Sequence, residues 1–132
     1  MTEKELLINL AKAWNNLDVS FIENLLIDEF KYASQWVFDE MNGKINYLDY
    51  LSAKFESIKN GIKENGDEIF AELAIVTEGF PNKPCIVLTQ IRGNNVMKVT
   101  LLIEAMNEMI GRIDMCAIPT PESAILTGLI PK

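Results

Sequence analysis

Between Phe30 and Phe38 the chain alternates, with Phe30, Tyr32, Ser34, Trp36 and Phe38 at even positions and Lys31, Ala33, Gln35 and Val37 between them. Such alternation of aromatic and β-branched residues reads as one or two strands with an aromatic face. Tyr32, Ser34 and Trp36 would make a wall for a flat apolar ligand, held by stacking and a hydrogen bond or two. The alternative is that Phe30, Tyr32 and Trp36 are plain core. Gln90, in the run Ile86-Val87-Leu88-Thr89-Gln90-Ile91, shares a face with Ile86 and Leu88. A polar group there is either part of a pocket or a contact to a partner subunit. Arg112-Ile113-Asp114 puts a cation and an acid two residues apart on a strand, first an exposed ion pair and second a pocket acid at Asp114. Asp114, Cys116 and Ile118 share one face of that strand and Ile113, Met115 and Ala117 the other, and the pattern leaves open which face is inside.

Other chemistries lack their residues. The sequence holds no histidine, which removes the commonest metal ligand and the commonest general base at neutral pH. It has no phosphate-cradling glycine loop, no metal-ligand cluster and no nucleophile beside a base, so no metal or cofactor is expected. Cys85 and Cys116 read as reduced core thiols, pairing only if their strands are neighbours. Lys and Arg total 12 against 19 Asp and Glu, a net charge of −7. That balance argues against nucleic acid or an anionic membrane as a partner. No window is apolar enough to span a bilayer and the N-terminus is acidic, giving the expectation of a soluble, cytoplasmic protein.

The 132 residues, 48% of them apolar, suffice for one two-layer core. Thr2 and Glu5 form a capping box for a helix over residues 3–16, with Leu6, Leu10, Ala13, Trp14 and Leu17 at helical spacing. Asp18 caps a second, shorter helix carrying Ile22, Leu25 and Leu26. A third helix opens at Asn46, its stripe being Tyr47, Leu51, Phe55, Ile58 and Ile62. Trp14, Tyr47, Leu51 and Phe55 lie on the helical faces that should meet the aromatic strand, as core first and ligand contacts second. Strands are expected over residues 68–78, 84–92, 96–106 and 111–118, joined by turns too short for anything but antiparallel hairpins. Glu68 and Glu72 mark the solvent side of the first of these. The expected fold is α+β, a cone-shaped, curved antiparallel sheet packed on three N-terminal helices over residues 1–118, followed by a C-terminal arm, 119–132. The strand over 96–106 is apolar on both faces, with Met97, Val99, Leu101 and Ile103 on one and Val96, Leu102 and Met106 on the other, which suggests a homodimer.

This order of elements, with Leu10-Ala11-Lys12-Ala13-Trp14 through Leu17-Asp18, and Leu25 through Tyr32, resembles the nuclear transport factor 2-like superfamily. Gly43-Lys44 and Gly111-Arg112-Ile113 fit as well, and the likeness covers residues 3–118. The resemblance implies a cystatin-like cone, a pocket between concave sheet and helices, and a homodimer through the outer sheet face. It implies no activity, because the superfamily holds ketosteroid isomerases, SnoaL-like polyketide cyclases, scytalone dehydratases and binders alike. Counted along the resemblance, the isomerase base falls on Ser34, the donor tyrosine on Leu10, and the donor acid within Thr100 to Ile103, where there is no carboxylate. All three roles are vacant, and cyclase or dehydratase chemistry lacks its histidine. Catalysis is therefore left open, and the expectation is a binder of a small apolar or aromatic molecule. The alternative is an isomerase or dehydratase using Asp114 or Tyr32 in the same pocket. The candidate pocket set is Trp14, Tyr32, Ser34, Trp36, Tyr47, Leu51, Phe55, Gln90 and Asp114.

Overall fold

The structure, a computed structural model, describes residues 1–35, 39–77, 82–116 and 121–132. Helix α1 runs Glu3–Asn16, started by the Thr2–Glu5 capping box and ended by Leu17 in the left-handed conformation, φ 52°. Strand β1 is Leu26–Ser34 and the short β2 is Met41–Asn42. Helix α2 spans Lys44–Asn65, closed by Gly66 at φ 72°. Strands β3 (Glu68–Val76), β4 (Lys83–Arg92), β5 (Asn95–Met106), β6 (Met109–Cys116) and β7 (Ala124–Leu126) follow. All seven form one sheet in the order β2-β1-β6-β5-β4-β3-β7. No helix among the described residues is long and apolar enough to cross a membrane.

Two expectations are corrected. Among the described residues there are two α-helices, not three, because the segment after Asp18 makes only a 3-10 turn, Val19–Phe21. Asp18 does cap it through the Ser20 amide, but Leu26 is drawn into β1 opposite Ile110, and the Ile110 amide donates to the Leu25 carbonyl. Strand pairing across the fold outcompetes a helix too short to hold itself. The sheet is also not wholly antiparallel, since β1 pairs with β6 in parallel. The hairpins β3–β4, β4–β5 and β5–β6 are antiparallel, whereas β1 reaches β6 only after α2 and three hairpins, so no tight turn dictates its direction. The β5–β6 turn is shorter than the sequence suggested: Asn107 and Glu108, at φ 51° and 66°, supply the left-handed pair of a two-residue hairpin.

Register divides the sheet into two faces. Tyr32, Ile113, Ile103, Leu101, Ile86 and Leu73 stand on the concave side and pack with Leu6, Leu10, Trp14, Leu51 and Phe55 of the helices into the main core. Ala74, Val76, Cys85, Val87, Leu102 and Cys116 form a second cluster on the convex side, where Ala124 joins them. Cys85 and Cys116 lie on β4 and β6 with β5 between them, and both thiols are free. The C-terminal segment extends the sheet at its β3 edge. Beyond β7, the Leu73 amide donates to the Leu129 carbonyl, and Asn15 bridges Ala71 and Pro131.

Candidate functional site

A cavity of about 810 Å3 opens between the concave face, β2 and the first half of α2. The pleat decides which side chains reach it. On β1, Tyr32 and Ser34 face inward, and the parallel register sets Ser34 beside Met115 of β6. On the other side the pairs Leu88–Val99 and Gln90–Met97 of β4 and β5 continue the wall. Tyr50 and Lys54, one turn apart on α2, roof it, and Asp39 and Met41 stand at its rim. The lining surface is mostly apolar, with five thioether or aliphatic side chains and a few polar groups converging on it, the character of a small-molecule site.

The polar groups are hydroxyls, the Lys54 ammonium, the Asp39 carboxylate and the Gln90 amide. The Tyr32 hydroxyl donates toward Met115 Sδ at 3.7 Å, and its ring lies 5.7 Å from that of Tyr50. Burial, reinforced by Tyr50, pushes its ionisation well above the ordinary tyrosine range, so it stays a neutral donor at any physiological pH. Tyr47, behind it, is raised in the same direction by burial. The Lys54 ammonium lies 5.8 Å from the centroid of the Tyr50 ring. Asp39, the carboxylate among the described lining residues, is exposed. No group of three or more potential metal ligands occurs among the described residues.

Of the residues singled out from sequence, Tyr32, Ser34 and Gln90 are brought together around this cavity. Trp36 lies outside the described residues. Trp14, Tyr47, Leu51 and Phe55 are at most 2% exposed and do not line the cavity. Trp14 stands edge-to-face on Phe55 at 4.9 Å, and Tyr47 is covered by Phe30 at 4.7 Å and Tyr32 at 5.0 Å. Helix–sheet packing consumes the surface a ligand would need. Asp114 is on the wrong side of the sheet for a pocket acid: Ile113 and Met115 face the main core, so Asp114 points outward, where Arg112 Nε binds it at 3.0 Å and Arg112 Nη1 reaches Glu40 at 2.9 Å. Tyr50, Lys54, Asp39, Met41, Leu88, Met97, Val99 and Met115 were not foreseen as lining. Leu88 shares the Gln90 face, so strand parity alone could have found it, and Tyr50 and Lys54 border the buried stripe of α2 by one position each.

No family model matches the chain, and no curated protein matches it in sequence. Solved structures do. A nuclear transport factor 2-like protein of unknown function from Cytophaga hutchinsonii superposes with a TM-score of 0.59 at 12% identity, over 90% of this chain and 94% of that one. A protein of ketosteroid isomerase-like fold from Catenulispora acidiphila, in complex with trimethylamine, gives 0.53 at 14% identity, over 87% and 86%. A de novo designed protein with a curved β-sheet gives 0.62 at 11% identity, over 87% and 86%. The chain has the nuclear transport factor 2-like fold. That a designed chain reaches the same backbone underlines that the fold alone assigns no activity.

Proposed function

We propose that the protein binds a small apolar or aromatic molecule in the cavity beside Tyr32, Ser34 and Gln90 without turning it over. The observation that carries this reading is the lining itself: Met41, Leu88, Met97, Val99 and Met115 around a few hydrogen-bonding groups. An isomerase or dehydratase in the same cavity would need a base within reach of substrate. Tyr32 is a phenol held neutral, suited to donating to a carbonyl oxygen but not to abstracting a proton, and Asp114 faces the other side of the sheet. Thermal stabilisation by flat apolar ligands tests the binder. At least one raises the melting temperature of the wild type and fails to raise that of Ser34→Phe, whose ring obstructs the cavity beside Tyr32. Equal stabilisation of both would refute the site. A 3-oxo-Δ5 steroid should show no conversion above the buffer rate, and turnover abolished by one cavity substitution would establish the enzyme instead.

The same reading includes a homodimer through the convex sheet face, supported by the exposed Val96. Light scattering that returns a monomer at micromolar concentration would remove it. Two free thiols suit the cytoplasm, and residues 119–132 act as an arm of the single domain rather than as a linker.

A further inference from the structure

We propose that the molecule held in this cavity carries a carboxylate or equivalent anionic group beside its apolar body, and that Lys54 pairs with it. This rests on the binding function above and goes further, to the charge of the ligand. Lys54 is half-buried and lines a site whose walls are mostly apolar. Among the described residues no carboxylate stands within ion-pairing distance of it, and the contact it does make is the weak one with the Tyr50 ring. Two other half-buried cations of this fold meet acids: Lys83 meets Glu3 at 2.9 Å, and Arg112 meets Glu40 at 2.9 Å. Lys12 and Lys44 are also half-buried without such a partner, but neither lines the cavity.

An ammonium beside low-dielectric walls gains more from a counter-charge than one in bulk water. The chain has 19 acidic residues from which one could have been set against Lys54. The acid at the rim, Asp39, is exposed and stands beyond ion-pairing distance of it. The ligand then lies with its flat body along Leu88, Val99 and Met115 and its anionic end under the α2 turn that carries Tyr50 and Lys54. The net charge of −7 works against an anion at long range, but that repulsion is screened by salt over about 8 Å whereas a direct pair is not.

The test uses the full chain and matched probes of nearly equal shape, benzoate, 2-naphthoate and decanoate, each against its neutral amide, titrated calorimetrically at pH 7. For the pair that fits, the acid should bind about tenfold more tightly than the amide, the worth of one charge-assisted hydrogen bond. Lys54→Arg keeps that ratio, whereas Lys54→Met brings acid and amide to within about twofold of each other. Acid and amide binding alike to the wild type would overturn the role of Lys54 while leaving the cavity as a binding site. An acid preference that survives in Lys54→Met would overturn it equally. If neither member of any pair binds, the cavity reading itself fails, and this inference falls with it.

Discussion

Asn15 takes the place of a strand residue at the β3 edge. The Ala71 amide donates to its Oδ1 at 2.7 Å, and its Nδ2 donates to the Ala71 carbonyl at 3.0 Å and the Pro131 carbonyl at 2.6 Å. Ala71 is fully buried, and β7 begins its pairing only at Ala74. In Asn15→Ala, two main-chain groups of a buried residue lose their partner at once, and the last turn of chain loses its tether at Pro131. Each buried unsatisfied group costs about 1–3 kcal/mol, and partial access of water at this edge brings the sum to about 3 kcal/mol. For a domain of this size that lowers the melting temperature by about 10 °C. Differential scanning calorimetry of the wild type, Asn15→Ala and Asn15→Asp reads it out. Asn15→Asp keeps the acceptor for the Ala71 amide but sets a carboxylate against two carbonyl oxygens, so at pH 7 it should be no better than alanine. Near pH 4 the protonated acid regains one donor, and its deficit relative to the wild type should shrink. An Asn15→Ala melting temperature within about 2 °C of the wild type would refute this role for Asn15.

Gly111→Ala would place a Cβ 2.6 Å from Met106 Sδ; because that side chain is exposed and flexible, the cost should be about 1 kcal/mol, relieved in the double variant with Met106→Ala. Burial pushes both thiols up to about 11 from an ordinary value near 9, so the unfolded chain gives up these protons first; chemical denaturation should show stability present below pH 9 and falling as pH rises from 9 to 11. Replacing both cysteines by alanine should flatten that fall, apart from what Tyr32 and Tyr47 add above pH 10 in the same direction. Tyr32→Phe loses a hydroxyl that donates toward a thioether, so its stability should change by less than about 1 kcal/mol in urea denaturation, with a larger loss in affinity for a carbonyl-bearing ligand.

Local signals in this chain are legible in the sequence and long-range ones are not. The Thr2–Glu5 box fixes the start of α1 within one turn, and strand parity puts Gln90 with Leu88 on the concave side. The short helix after Asp18 failed because its apolar residues serve two periods equally, and only the pairing of Leu26 with Ile110 decides between them. The parallel β1–β6 pair joins segments with α2 and four strands between them, a contact that no turn announces. The face of Asp114 could not be chosen because both faces of β6 carry apolar residues, Ile113 and Met115 inside and Cys116 outside. Lys54 is not legible because a lysine bordering a helical stripe looks like any solvated one until Tyr50 and the β4–β5 wall are set around it.

The six methionines divide cleanly with respect to the cavity: Met41, Met97 and Met115 line it, and Met1, Met106 and Met109 do not. Labelling their methyl groups with carbon-13 and adding the tightest-binding probe should shift the signals of Met41, Met97 and Met115 in parallel with occupancy and leave the other three in place. Shifts confined to Met1, Met106 and Met109, or no methyl shift at saturating ligand, would contradict binding in this cavity.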